Sequence, residues 1–168
     1  MIIKGKGFLL RPARKEDADS LWENYNDKEV ARGMATMETE KQFKKEWKEG
    51  FKKKDKNSDR FVIEIDERAV GKITMKMFDP YNKSKAKISY WIGKGYRGKG
   101  ITSLGVKLAV GYWFKKFKLV RIEARARTYN KASARVLEKA GFKLEGIMRK
   151  NIFKDGKHYD DCLYARVK

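Results

Sequence analysis

Four glycines fall within eight residues in the stretch GKGYRGKG, at Gly93, Gly95, Gly98 and Gly100, interleaved with Lys94, Arg97 and Lys99. Glycine admits positive φ and has no Cβ to block approach, so several backbone N–H groups can converge on one anion. Arg97 and Lys99 add charge at the same place, and a helix predicted to begin near Ile101 points the positive end of its dipole there. Phosphate binding is the chemistry these residue types support. The loop is not a P-loop, because no Gly-Lys-Ser/Thr follows a glycine at the required spacing. Gly93-x-Gly95-x-x-Gly98 satisfies the dinucleotide fingerprint, but the first acidic residue downstream is Glu123 and strands, not βαβ units, precede the loop.

A second constellation lies some thirty residues on, in NKASARVLEKAGF. Asn130 is placed to cap the start of a short helix and Gly141 its end. Asn130, Ser133 and Leu137 stand at i, i+3 and i+7, so they share one side of that helix. The strand leading to it carries Glu123 between Arg121 and Arg125, a pattern that fits a catalytic base or an ion pair equally. His158, the sole histidine, and Asp160 are further base candidates in the last hairpin. Cys162 is the single cysteine, which excludes an internal disulfide and reads more simply as a strand residue than as a nucleophile; a reducing, cytoplasmic setting is the expectation. No metal is expected.

The elements that position these residues follow from pattern. A first strand is predicted over 8–11, ended by Pro12, then a helix over 16–25 and a break over 26–37. Thr39 opens a helix in which Phe43, Trp47 and Phe51 form one aromatic stripe against a lysine-rich face; Glu40, Glu46 and Glu49 interrupt that charge, so the stripe reads as core and the lysines as a solvated face. Residues 52–59 read as a loop, 61–65 and 69–78 as a hairpin, 79–83 as a turn with Pro80, and 84–92 as the strand that feeds the glycine loop. The helix from 101 to about 117 is apolar around most of its girth, with Gly105 and Gly111 suggesting close approaches. A strand over 119–126, the helix framed by Asn130 and Gly141, and a hairpin over 142–153 and 158–167 with its turn at Asp155-Gly156 complete the chain.

Arg97-Gly98-Lys99-Gly100-Ile101-Thr102 resembles the Arg/Gln-x-x-Gly-x-Gly/Ala signature of the GNAT superfamily of N-acetyltransferases, with Thr102 where that pattern has Gly or Ala. The Asn130 segment is similar to the Asn-x-x-Ser-x-x-Val-Leu-Glu-Lys-x-Gly-Phe segment of the branch that acetylates ribosomal-protein N-termini. LLRPARKEDAD, ISYWI and the Asp160 to Tyr164 spacing are similar to that branch as well. The resemblance implies one α+β domain over 1–168, with a mixed, mostly antiparallel seven-stranded sheet, about four flanking helices and a splayed strand pair that forms the coenzyme A cleft. It implies acetyl-CoA as cosubstrate. The pantetheine arm would pair near Trp91 and Ile92, with the Ile92 amide polarising the thioester carbonyl. Residues Arg97, Gly98, Lys99, Gly100, Ile101 and Thr102 would hold the pyrophosphate, and Asn130 would bind the arm. Ser133 would protonate the departing thiolate, since Leu137 occupies the position where other members carry a tyrosine; the resemblance names no base, and Glu123 is the leading candidate beside His158 and Asp160.

The chain has 168 residues, is 41% hydrophobic and carries a net charge of +20. That length gives room for a proper core. The charge is spread along the sequence; its field attracts coenzyme A, nucleic acid and ribosomes and disfavours a polycationic acceptor. No apolar run reaches a membrane-spanning length, and Arg11 and Pro12 interrupt the N-terminal one. The resemblance implies an amine acceptor, most simply a protein N-terminus such as that of a ribosomal protein. A small-molecule amine, or an RNA- or ribosome-binding module that keeps the acetyltransferase fold, are the alternatives.

Overall fold

The computed structural model describes residues 1–33, 39–51, 55–78 and 84–168. In order the elements are β1 (Ile3–Gly5), β2 (Phe8–Pro12), a 3-10 turn (Lys15–Asp17), α1 (Ala18–Tyr25), α2 (Lys28–Gly33), α3 (Glu40–Glu49), β3 (Ser58–Ile65) and β4 (Arg68–Met77). Then come β5 (Lys85–Ile92), a 3-10 turn (Lys94–Tyr96), α4 (Ile101–Lys116), β6 (Arg121–Arg127), α5 (Lys131–Lys139), β7 (Lys143–Lys154) and β8 (Lys157–Val167). The architecture is α+β, with eight strands in one sheet ordered β1-β2-β3-β4-β5-β6-β8-β7.

Two details depart from the expected seven strands and four helices. The added strand, β1, is three residues long and pairs antiparallel with β2, from Ile3 opposite Leu10 to Gly5 opposite Phe8; three residues are too few for an alternating pattern to register. The added helix, α2, lies inside the segment read as a break, and Asp27 Oδ1 starts it by accepting from the Glu29 and Val30 amides at 2.8 and 3.2 Å. The turn expected at 79–83, part of the loop at 52–59 and the end of the break at 26–37 lie outside the described residues.

Helices cover both faces of the sheet. On one, α4 and α5 close a core that includes Leu10, Ile73, Met75, Val106, Val110, Trp113, Ile122 and Leu137. The mostly apolar α4 fits there closely: a Cβ on Gly105 would stand 3.2 Å from Ile73 Cδ1, whereas one on Gly111 would meet nothing within 4 Å. On the opposite face, α1 and α3 enclose a second cluster with Leu21, Tyr25, Phe43, Trp47, Val62 and Trp91. The aromatic stripe is thus core, and its helix begins with a reciprocal cap in which Thr39 Oγ1 accepts from Gln42 N and Gln42 Oε1 accepts from Thr39 N. Arg11, 5% exposed, anchors β2 beneath this layer by pairing with Asp17 at 2.6 Å and with Glu64.

One seam positions the functional site. All strand pairs are antiparallel except β5 with β6, which run parallel and pair at only three positions, Lys85 with Arg121, Ala86 with Ile122 and Lys87 with Glu123. Beyond these, β5 stays paired to β4 as far as Ile92, and β6 stays paired to β8 as far as Arg127. The two strands therefore separate, and the gap between them opens toward the glycine-rich loop.

Candidate active site

Backbone parity decides which groups face the gap. The Gly93 amide donates to Val70 O at 2.9 Å, and antiparallel strands alternate between groups that face the partner and groups that face away. Trp91 thus spends its backbone on β4, while the N–H groups of Tyr90 and Ile92 point toward β6 and the gap. Of the two residues expected to receive the pantetheine arm, Ile92 presents its amide. Trp91 contributes a buried indole that packs edge-on against Tyr25 with ring centroids 5.4 Å apart.

The loop delivers the helix that follows it with its first turn open. Gly98 and Gly100 adopt φ of +77° and +75°, the left-handed region where a side chain is strained, and a Cβ at either would meet nothing within 4 Å. Gly100 is the N-cap of α4 and brings no side-chain cap; the first amide satisfied within the helix is that of Leu104, which donates to Gly100 O. Among the described residues no group accepts from the amides of Ile101, Thr102 and Ser103, and all three residues line a cleft of about 1000 Å³. An uncapped helix N-terminus of this kind, fed by left-handed glycines, fits a diphosphate by its amides and its dipole.

The side chains of the loop are disposed differently from its backbone. Arg97 donates to Asp27 at 2.9 Å, to Glu29 at 2.7 Å and to Ile92 O at 3.3 Å, so its guanidinium ties the loop to the start of α2. Asp27 is held below the usual carboxylate range: burial acts against this, but the bonds from Arg97 and from the Glu29 and Val30 amides outweigh it. The Lys99 ammonium lies 6.0 Å over the Tyr96 ring rather than among the residues lining the cleft. Thr102 stands in the first turn of α4 and lines the cleft.

Across the gap, α5 brings Asn130 and Ser133 to the same cleft. Asn130 Oδ1 caps the helix by accepting from Ser133 N at 3.0 Å. Ser133 Oγ lies 2.8 Å from Tyr90 Oη, and Tyr90 also donates to Ser133 O at 3.1 Å, so a tyrosine from β5 spans the gap to the serine. Burial pushes the Tyr90 phenol well above the ordinary tyrosine value, and its bond to Ser133 offsets this only in part. Leu137 is fully buried in the core beneath.

Glu123 lines the cleft at its closed end, where the last β5–β6 pair forms, and accepts from Arg121 Nε at 2.7 Å. Arg121 also pairs with Glu145 at 2.5 Å. Of the two possibilities the sequence left for this carboxylate, the ion pair is present. His158 packs its ring against Phe153, and Asp160 Oδ1 accepts from Lys150 N; neither lines the cleft. Tyr90 is the residue that sequence reasoning missed. Its signal was its parity within ISYWI, which sends it to the face opposite Trp91. No group of three or more potential metal ligands occurs among the described residues.

A splayed parallel strand pair leading through a glycine loop into an uncapped helix, with a hydroxyl on the far bank, defines an acyltransferase that handles a phosphorylated carrier. The family model for the acetyltransferase (GNAT) domain matches residues 8–143, and the chain belongs to that family: it is an N-acetyltransferase that uses acetyl-CoA. The probable N-acetyltransferase YjcK of Bacillus subtilis is 33% identical over 173 residues, which cover 98% of this chain and 96% of that protein. A GNAT-family acetyltransferase from Bacillus anthracis superposes with a TM-score of 0.87 at 25% identity, covering 99% of this chain and 98% of that one. RimL, a ribosomal L7/L12 alpha-N-protein acetyltransferase solved with coenzyme A, shares the fold at a TM-score of 0.88 and 21% identity, covering 99% of this chain and 98% of that one. Among the described residues no helix is long and apolar enough to cross a membrane.

Proposed function

We propose that residues 1–168 act as one catalytic unit that acetylates the N-terminal α-amine of a protein, with a ribosomal protein as the acceptor class. The observation that carries this reading is the open gap between β5 and β6, with the uncapped first turn of α4 at one side and Ser133 at the other. Acetyl-CoA brings an activated thioester whose carbonyl carbon a neutral amine can attack. The amides of Ile101 to Ser103, with the turn at Gly98 and Gly100, hold the diphosphate, and Asn130 lies along the arm. The Ile92 N–H, which parity points into the gap, stabilises negative charge on the carbonyl oxygen as the amine adds. Ser133 Oγ donates toward the sulfur as the carbon–sulfur bond breaks.

The acceptor follows from the base that the site does not emphasise. Glu123 is engaged by Arg121, and His158 and Asp160 stand away from the cleft. An α-amine with a pKa near 8 is about a tenth neutral at pH 7, whereas a lysine near 10.4 is neutral at roughly the thousandth level or below. Bulk water or a weak base suffices for the first and not for the second. The alpha-N-protein activity in the name of RimL agrees with this choice. The net charge of +20 favours approach to an RNA-rich particle such as a ribosome, and the single-cysteine composition favours the cytoplasm.

The test is incubation with labelled acetyl-CoA and a panel of peptides with free Ser or Ala N-termini, N-terminally blocked lysine peptides and small amines. Label is expected on the free N-termini. Label only on lysine or small amines, or none anywhere while acetyl-CoA still binds, overturns the acceptor assignment.

A further inference from the structure

We propose that Tyr90 is a positioning residue for the reaction, holding the hydroxyl of Ser133 so that its proton is directed at the leaving sulfur. The inference rests on the role given to Ser133 above. Tyr90 comes from β5 and Ser133 from the first turn of α5, so their contact links the two banks of the gap at the point where the thioester would lie. The serine's own backbone is fixed by Asn130 Oδ1, which leaves its side-chain rotor as the free variable.

Tyr90 has one proton and two acceptors, Ser133 Oγ at 2.8 Å and Ser133 O at 3.1 Å. A serine hydroxyl likewise has one proton to donate. If Tyr90 donates to the carbonyl, its oxygen is open to the serine proton, which then stays inside the pair. If Tyr90 donates to Oγ, the serine proton must point elsewhere, and the gap is open to it. Negative charge growing on sulfur selects the second arrangement, and a chain of hydroxyls polarised in one direction strengthens each bond in it. Tyr90 is partly buried between strand and helix, and burial keeps its proton in place; that proton is directed at the two Ser133 oxygens, so it serves the serine and not the sulfur.

The step balances without any further reactant. The carbon–nitrogen bond forms, the carbon–sulfur bond breaks and sulfur leaves with the electron pair. Sulfur takes the Ser133 proton, and the proton shed by the acylated nitrogen returns to Ser133 directly or through solvent. Tyr90 ends as it began, and so does the serine.

A double-mutant cycle tests this, with thiol release from acetyl-CoA followed for wild type, Tyr90→Phe, Ser133→Ala and the double variant. Ser- and Ala-initiated peptides serve as nucleophiles, and water alone as the reference. Tyr90→Phe keeps the ring and its packing. It should lower kcat about tenfold, the size of one hydrogen bond, and leave KM for acetyl-CoA within twofold. In the Ser133→Ala background it should cost nothing more, because the group it positions is gone. Wild-type kcat in Tyr90→Phe, or the same loss with and without the serine, overturns the positioning role. Wild-type kcat in Ser133→Ala overturns the serine assignment separately, and a wild-type protein that releases no thiol above background overturns both.

Discussion

The geometry at Gly100 can be turned into a number. Its φ of +75° lies where an L side chain costs about 1–2 kcal/mol, and a Cβ there would meet no atom within 4 Å. Gly100→Ala therefore introduces no clash, only a bias of the backbone away from the conformation that opens the first turn of α4. If the loop must return to that conformation to bind, the whole bias appears in the affinity, as a weakening of about 5- to 30-fold in the Kd for coenzyme A. Gly95→Ala is the matched control: it also faces open space but has no positive φ, so its Kd should stay within about twofold of wild type. Isothermal titration with coenzyme A measures both, and thermal melting without ligand shows whether either variant is folded. A Gly100→Ala protein that melts normally and binds coenzyme A as tightly as Gly95→Ala would refute the claim that these amides form the diphosphate cradle.

Other expectations follow from the same structure. Ser133→Ala should lower kcat by about 10²-fold with an unchanged Kd for coenzyme A, measured by steady-state kinetics beside titration. Asp27 has a folded pKa below its unfolded one, near 3.9, so its stabilising effect is full above that value and is lost as pH falls through the folded pKa. Asp27→Asn should accordingly melt below wild type at pH 7, and the difference in Tm should shrink as the pH is taken below about 4. Leu137, fully buried under α5, should cost about 2–5 kcal/mol on replacement by alanine, read from urea unfolding. RNA binding, if the +20 charge serves it, should fall steeply with salt and survive Gly100→Ala.

What the sequence made legible was local. Four glycines in eight residues, a helix that follows at once and an asparagine three residues before a serine all declare themselves within short windows, and the structure places each on the cleft except Gly93, Gly95 and the side chain of Lys99. Helix α3 was legible for the same reason, since Thr39, Gln42, Phe43 and Trp47 are neighbours in sequence. What escaped depended on distant partners. The Arg97 guanidinium lines the cleft, but its engagement by Asp27 and Glu29, 70 and 68 residues away, shows only when the fold brings them beside it. Tyr90 reads as one aromatic in an apolar strand until Ser133, 43 residues on, arrives across the gap. The pairing of Glu123 with Arg121 was one of the two readings open from sequence, but the second partner of that arginine, Glu145, lies 24 residues on. Helix α2 was missed because its six residues carry no apolar period and depend on Asp27 as a cap.

The three-pair seam between β5 and β6 has a mechanical meaning. Strands β1 to β5 and strands β6 to β8 are two half-sheets stitched by a few rungs at one end, with α4 and α5 lying over the join. In the binding mode proposed above, a carrier whose arm offers amide groups to both banks would supply rungs beyond those three, so the cosubstrate would complete the sheet as well as feed the reaction. Amide hydrogen exchange at residues 88–92 and 124–127 should slow in concert when coenzyme A is added. The enzyme would then be stiffest while charged with its acyl donor and loosest after the spent carrier departs.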